Sequence, residues 1–188
     1  MKDQEKLTSI DFWVDNKHEH IFSRHDGHGI DEFIRKYIPA SKNGSCLEIG
    51  SFPGPFLATF GDLGYVLNGV DFHPDNKDKV PAWLNSLNFS TGSFDTQDFF
   101  EYNTPERFDV VASFGFIEHF SNYEEIILKH AGLVKKNGYL LITTPNFKGW
   151  LQHFLHKTWD RTNLSYHNLQ SMQPEKWAAL LERSGFQV

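Results

Sequence analysis

The run Phe108-Asp-Val-Val-Ala-Ser113 is apolar without the in-and-out alternation of a strand that has one wet face. Such a strand is covered on both sides, which calls for a parallel sheet with helices packed on each face. Matching pieces lie along the rest of the chain. Ser45–Ile49, Tyr65–Val70, Phe89–Ser93 and Tyr139–Thr143 read as further strands, the last one entered by a turn at Asn137-Gly138 and stopped by Pro145. Apolar residues at helical spacing predict helices over Ile30–Ile38, from Phe56, over Val80–Leu87 and over Asn122–Leu133. A last helix opens with Pro174 and closes at Gly185. Strand and helix in alternation mean crossover connections, and the expected fold is α/β: a Rossmann-like, doubly wound, mainly parallel sheet with helices on both faces.

A chain of 188 residues allows one domain and no second. Its 18 Phe, 6 Tyr and 5 Trp exceed what a disordered chain carries, and neither repeat nor linker breaks the sequence. A net charge of −6, with no basic stripe, argues against a protein that grips nucleic acid through its phosphates. A single cysteine, Cys46, excludes a disulfide framework, and no run of 18 apolar residues is present. With charges where a signal peptide needs an apolar stretch, the expectation is a cytoplasmic protein with no membrane partner. The expected organisation is one domain, 1–188: an N-terminal helical cap (1–41), a core (42–146), an insertion (147–173), then a last helix and the start of a strand (174–188).

In an open parallel sheet, ligands bind beyond the carboxyl ends of the strands, where strand order reverses. The loop leaving the first strand reads Glu48-Ile-Gly50-Ser-Phe-Pro-Gly54-Pro55. Glycines there let the backbone turn sharply and approach a ligand. The dinucleotide fingerprint wants glycine at the first, third and sixth positions, which here hold Gly50, Phe52 and Pro55, so a nicotinamide oxidoreductase is disfavoured. Glu48 can accept hydrogen bonds from a cationic or amine-bearing ligand. Asp71, 21 residues after Gly50, can take both hydroxyls of a ribose, and Phe72 offers an adenine ring a flat face. Asp95 and Thr96, after the third strand, can meet the ring's exocyclic amine. Each residue has a plainer use as well: Asp71 in a turn, Phe72 and Phe114 in the core.

With LEIGSFPG (47–54), GVDF (69–72), FDVVASFGFIEHF (108–120) and LVKKNGYLLITTPN (133–146), the chain resembles the class I S-adenosylmethionine-dependent methyltransferases from about Ile30 onward. The resemblance implies S-adenosyl-L-methionine as cofactor, held by Glu48, Gly50, Ser51, Gly54, Asp71, Phe72, Asp95, Thr96, Ser113 and Phe114. The Ser-Phe-Gly turn at 113–115 would wrap the methionine portion. Phe52 departs from the pattern, standing where the family motif has glycine, so its ring must point away from the cofactor or the loop must change shape. Family members finish the sheet with a hairpin, of which Phe186-Gln187-Val188 would be at most the first residues.

The implied reaction moves a methyl group to a small-molecule acceptor by in-line displacement, with a hydroxyl favoured. A hydroxyl must lose a proton, and His119, directly after the fourth strand, is the candidate base because imidazole titrates near neutrality. His119 orienting the loop is the plainer alternative. Glu118 suggests a metal ligand, but the residues after it, Phe120-Ser121-Asn122, lack the carboxylates for a site, so no metal is expected. Residues 146–173 are where the class builds its substrate cover, and Trp150, Tyr166 and His167 are the candidate acceptor contacts, beside His153, His156, Trp159, Asp160, Arg161 and Asn168. The histidines at 18, 20, 25 and 28 match no zinc spacing and read as a polar lid, from which Arg24 or His25 could reach the cofactor carboxylate. The aromatic C-terminal third offers a surface for a homo-oligomer. The competing function, in a different class, is a non-catalytic cofactor-binding or interaction protein on the same fold.

Overall fold

The computed structural model describes residues 22–145 and 168–188. Helix α1 (Gly29–Tyr37) leads to β1 (Ser45–Ile49), α2 (Leu57–Asp62), β2 (Val66–Asp71), α3 (Lys79–Ser86) and β3 (Thr91–Thr96). Then come β4 (Phe108–Phe114), α4 (Tyr123–Ala131), β5 (Val134–Thr143) and α5 (Pro174–Arg183). The five strands form one parallel sheet in the order β3-β2-β1-β4-β5. The order reverses between β1 and β4, which sets the crevice beyond their carboxyl ends as the place for a ligand.

Successive residues of β1 feed two separate cores, and this explains why the strands show no alternation. Cys46 packs with Ile34 of α1, Leu57 and Phe60 of α2, and Val80 and Leu84 of α3. Leu47 and Ile49 pack on the other face with Val70, Val111, Ile126 and Ile127 of α4, and Trp177 of α5. At the amino end of the sheet, the Ser45 N–H and hydroxyl donate to Asp109, which also pairs with Lys135 at 2.8 Å.

Three boundaries differ from the sequence expectation. The third strand is Thr91–Thr96 rather than Phe89–Ser93, because Phe89 closes α3: its N–H bonds Leu84 O and its ring fills the space beside Gly61. Asp95 and Thr96 therefore end the strand instead of following it. Asn137-Gly138 does not precede β5 but lies inside it, as an irregularity between the Phe108–Val134 and Val110–Tyr139 pairings with Asn137 at φ 64°. Phe186–Val188 lie outside the sheet, the Phe186 N–H donating to Leu181 O to finish the turn after α5.

Asp31, buried in α1, binds α2 and the segment before α1 together. It accepts from Thr59 Oγ1 at 2.6 Å, Arg35 Nε at 3.0 Å and Gly27 N at 3.0 Å. Burial alone would raise its pKa, yet those hydrogen bonds outweigh it and hold the carboxyl below the ordinary 3.8. Asp31→Ala leaves the buried Thr59 hydroxyl without its acceptor and takes from the Arg35 guanidinium one of the carboxylates that hold it, Asp62 remaining. Urea denaturation is expected to show a loss of about 3 kcal/mol near neutral pH. The loss should shrink as pH falls through the depressed pKa, where the wild-type carboxylate is itself protonated. An unchanged midpoint at neutral pH would contradict this role for Asp31.

Candidate functional site

The loops leaving β1, β2 and β3 are stitched together by hydrogen bonds. Gly50, at φ +74°, donates its N–H to Val70 O at 2.9 Å. A Cβ on Gly50 would lie 2.9 Å from the Phe116 ring, so only glycine fits where the loops after β1 and β4 meet. Buried Ser51 donates its hydroxyl to Asn76 Oδ1 at 2.8 Å, and Asn76 Nδ2 donates to Asp95 O at 3.0 Å. Asp71, at the end of β2, accepts from Phe52 N at 3.1 Å through Oδ2 and from His73 N at 2.7 Å through Oδ1. The Phe52 ring lies flat against the His73 imidazole, centroids 3.7 Å apart, which is how the loop accommodates a side chain in a glycine position.

Two strand-end residues are buried with an unmet polar atom. Glu48 stands between Gly69 of β2 and Ala112 of β4, and its Oε2 has no hydrogen-bond partner. Burial, and then the charge of Asp71, push its pKa well above the carboxylate range. A cationic or amine-bearing group would supply the missing donor and restore the charge. Ser113, fully buried near the end of β4, has an equally unpartnered Oγ. These orphaned atoms beside a glycine loop and an oriented carboxylate fit a ligand with an amino group and a ribose. S-adenosylmethionine has both.

The other predicted cofactor residues fall around this crevice. Asp71 pairs with Thr96 across β2 and β3, and Val70 with Asp95, so the acids end neighbouring strands. Asp95 Oδ2 accepts from Ser93 Oγ at 2.9 Å, and Thr96 is exposed. Phe72 is half-buried, as is Phe114, whose ring leans on Phe56 at 4.6 Å. Gly54 takes φ +78° at the end of the loop. Arg24 is not available to a cofactor carboxylate, because its guanidinium is bound to Asp26 and Asp62. His25 packs edge-on to Phe56 at 5.2 Å. Residues 22–28 are not helical. Trp150, Tyr166 and His167, the rest of the insertion through 167, and His18 and His20 lie outside the described residues.

After β4 the chain makes a tight turn, Ile117–His119, which buries both Glu118 and His119. The Glu118 carboxyl packs against Gly115, and its Oε2 has no partner. Burial pushes its pKa up to about 7. Asn168, at the far end of the insertion, donates its N–H to Glu118 O at 2.6 Å and its side-chain amide to Phe120 O at 2.9 Å. The sequence signal for this acid was its position inside an apolar run, Phe116-Ile-Glu-His-Phe120, which leaves a carboxylate no water. His130 was missed altogether. Four residues after Ile126 on the inner face of α4, it donates Nδ1–H to Ile126 O at 2.7 Å and packs on Phe99 and Phe116. Burial lowers its pKa to about 4. Among the described residues, no group of three or more His, Cys, Asp or Glu is placed to hold a metal ion. None of the described helices is long and apolar enough to cross a membrane.

A family model described as a methyltransferase domain matches residues 18–188. The ubiquinone biosynthesis O-methyltransferase of Glaesserella parasuis serovar 5 (strain SH0165) is 29% identical over 119 residues, which are 58% of this chain and 50% of that protein. The chain thus spans about half the length of this curated relative. An O-methyltransferase family protein from Burkholderia thailandensis has a similar structure, with a TM-score of 0.61 at 17% identity over 85% of this chain and 50% of that one. A Thiobacillus denitrificans S-adenosylmethionine-dependent methyltransferase in complex with S-adenosyl-L-homocysteine gives 0.52 at 18% identity, over 72% and 55%. At such identities the structural likeness is one of fold. The family match covers most of the chain, and the chain belongs to the methyltransferase-domain family. The resemblance to class I S-adenosylmethionine-dependent enzymes on an α/β sheet holds.

The buried Glu118 has a consequence for stability. Between about pH 4.5 and pH 7 the unfolded chain releases this proton while the folded chain keeps it, so wild-type stability falls as pH rises. Glu118→Gln removes that share of the fall. Relative to wild type, the variant should gain about 2 kcal/mol between pH 5 and pH 8 in urea denaturation. An equal offset at both pH values would show that the carboxyl titrates normally.

Proposed function

We propose that this member of the methyltransferase-domain family binds S-adenosylmethionine across the ends of β1, β2 and β3 and methylates a hydroxyl of a small-molecule acceptor. The observation that carries the reading is Asp71: a carboxylate oriented by two backbone amides, one from the glycine loop, at the sheet's ligand-binding edge. It accepts hydrogen bonds from the ribose hydroxyls. Glu48 takes the ammonium of the methionine end, which meets its unpartnered oxygen. Gly50, Ser51 and Gly54 form the floor, Ser113 and Phe114 border the methionine side, and Phe72, Asp95 and Thr96 border the base. When bound, the cofactor supplies an electrophilic methyl carbon on a sulfonium.

His119 takes the hydroxyl proton on a ring nitrogen, as the general base. Its burial in the turn after β4 limits competition from water. The neighbouring Glu118, its pKa pushed up to about 7 by burial, carries only part of a negative charge at neutral pH. Trp150, Tyr166 and His167 contact the acceptor; what supports this is that Asn168, next in sequence, is fastened to the Glu118–Phe120 turn. The hydroxyl preference is supported by the relative named as a ubiquinone biosynthesis O-methyltransferase. The single, buried Cys46 agrees with a cytoplasmic setting.

Calorimetric titration with S-adenosylhomocysteine is expected to show saturable binding that Asp71→Ala weakens at least tenfold, about 1.4 kcal/mol. Normal affinity after that change would refute the ribose assignment. Against a panel of phenols and catechols, His119→Ala should leave product affinity within about twofold and lower the single-turnover methylation rate about 100-fold. Wild type that saturates with cofactor yet methylates no hydroxyl in the panel would favour a binding protein over an enzyme.

A further inference from the structure

Phe52 interrupts the glycine loop, and the two residues whose rings stack there are the same two whose amides hold Asp71. The Phe52 and His73 rings are nearly parallel, at 4°, and their backbone N–H groups donate to different oxygens of Asp71, Oδ2 and Oδ1. One residue comes from the loop after β1, the other from the exit of β2. His73 is firmly placed. It is buried, its Nδ1 accepts from Asp75 N at 3.2 Å, and its carbonyl accepts from Thr96 Oγ1 at 3.5 Å. Phe52 sits between glycines at φ +74° and +78°, conformations that only a shaped loop holds. Its ring also meets the edge of Phe22 at 5.8 Å, and Phe22 leans on Trp83 at the same distance.

We propose that the Phe52–His73 stack is a positioning device for Asp71. It transfers the rigidity of the β2 exit to the glycine loop, so that the loop amide stays on Oδ2 and the carboxylate is aimed before a ligand arrives. Phe52 is then a positioning residue that touches neither the reacting methyl group nor the acceptor. The inference rests on the reading of Asp71 as the ribose ligand. It also reverses a simple expectation: placing glycine at position 52, which restores the family pattern, weakens cofactor binding instead of improving it.

The test is calorimetric titration of the full chain with S-adenosylhomocysteine and with its 2′-deoxy analogue. Phe52→Gly is expected to weaken S-adenosylhomocysteine binding about tenfold, and to shrink the preference over the deoxy analogue toward one. Phe52→Tyr, which keeps the ring, should retain wild-type affinity within about twofold. His73→Ala removes the stack from the other side and should reproduce the Phe52→Gly result, which keeps the test valid if Phe52→Gly folds poorly. If wild type prefers the ribose form and Phe52→Gly and His73→Ala preserve that preference, the positioning role is overturned while the ribose reading stands. If wild type itself shows no preference for the 2′-hydroxyl, the ribose reading fails, and the inference fails with it.

Discussion

The burial of β1 on both faces is the constraint on which the remaining structure depends. A central parallel strand has no wet side, so each side chain on it is apolar, or polar with a specific use. Cys46, Leu47 and Ile49 meet the first condition and knit two cores through one strand. Glu48 meets the second. The same burial that lets helices pack on both faces pushes its carboxyl toward the neutral form, and a cation arriving at the loop would reverse that. Core and site thus share one cause.

Most of the fold was legible because it depends on periodicity. Unbroken apolar runs gave the two-faced strands, i/i+3/i+4 spacing gave α1 and α4, and Pro174 marked the start of α5. The errors fell where local signals compete. Phe89 looks like a strand residue, yet its ring serves as the hydrophobic stop of α3. Asn137-Gly138 is a strong turn signal, but the sheet absorbs it as an irregularity because β4 supplies partners on both sides of it. Arg24 looked free to reach a ligand, since nothing in the local sequence reveals that Asp62, 38 residues away, would claim it.

Legibility of the site divides the same way. Residues defined by the end of a strand, such as Glu48, Gly50 and Asp71, could be placed from the sequence because strand ends could. What Phe52 does could not, since its partner is an imidazole brought alongside by the pairing of β1 with β2. The unusual pKa of Glu118 was half visible: the apolar residues around it predict desolvation. The missing partner for its second oxygen is a fact of three dimensions. His130 shows the limit, a histidine at a core position of α4 whose ring reaches Phe116 and, through it, Gly50.

The turn after β4 also fixes how the insertion is attached. Gly115 donates its N–H to Thr143 O at 2.9 Å, close to where the insertion departs, and Glu118 and Phe120 accept from Asn168 where it returns. Both ends are moored to the same six residues, so the turn brings them together. For a loop closed in this way, doubling the length costs only about 0.6 kcal/mol. A change in the length of the segment between Thr143 and Asn168 therefore costs the strands that carry it little.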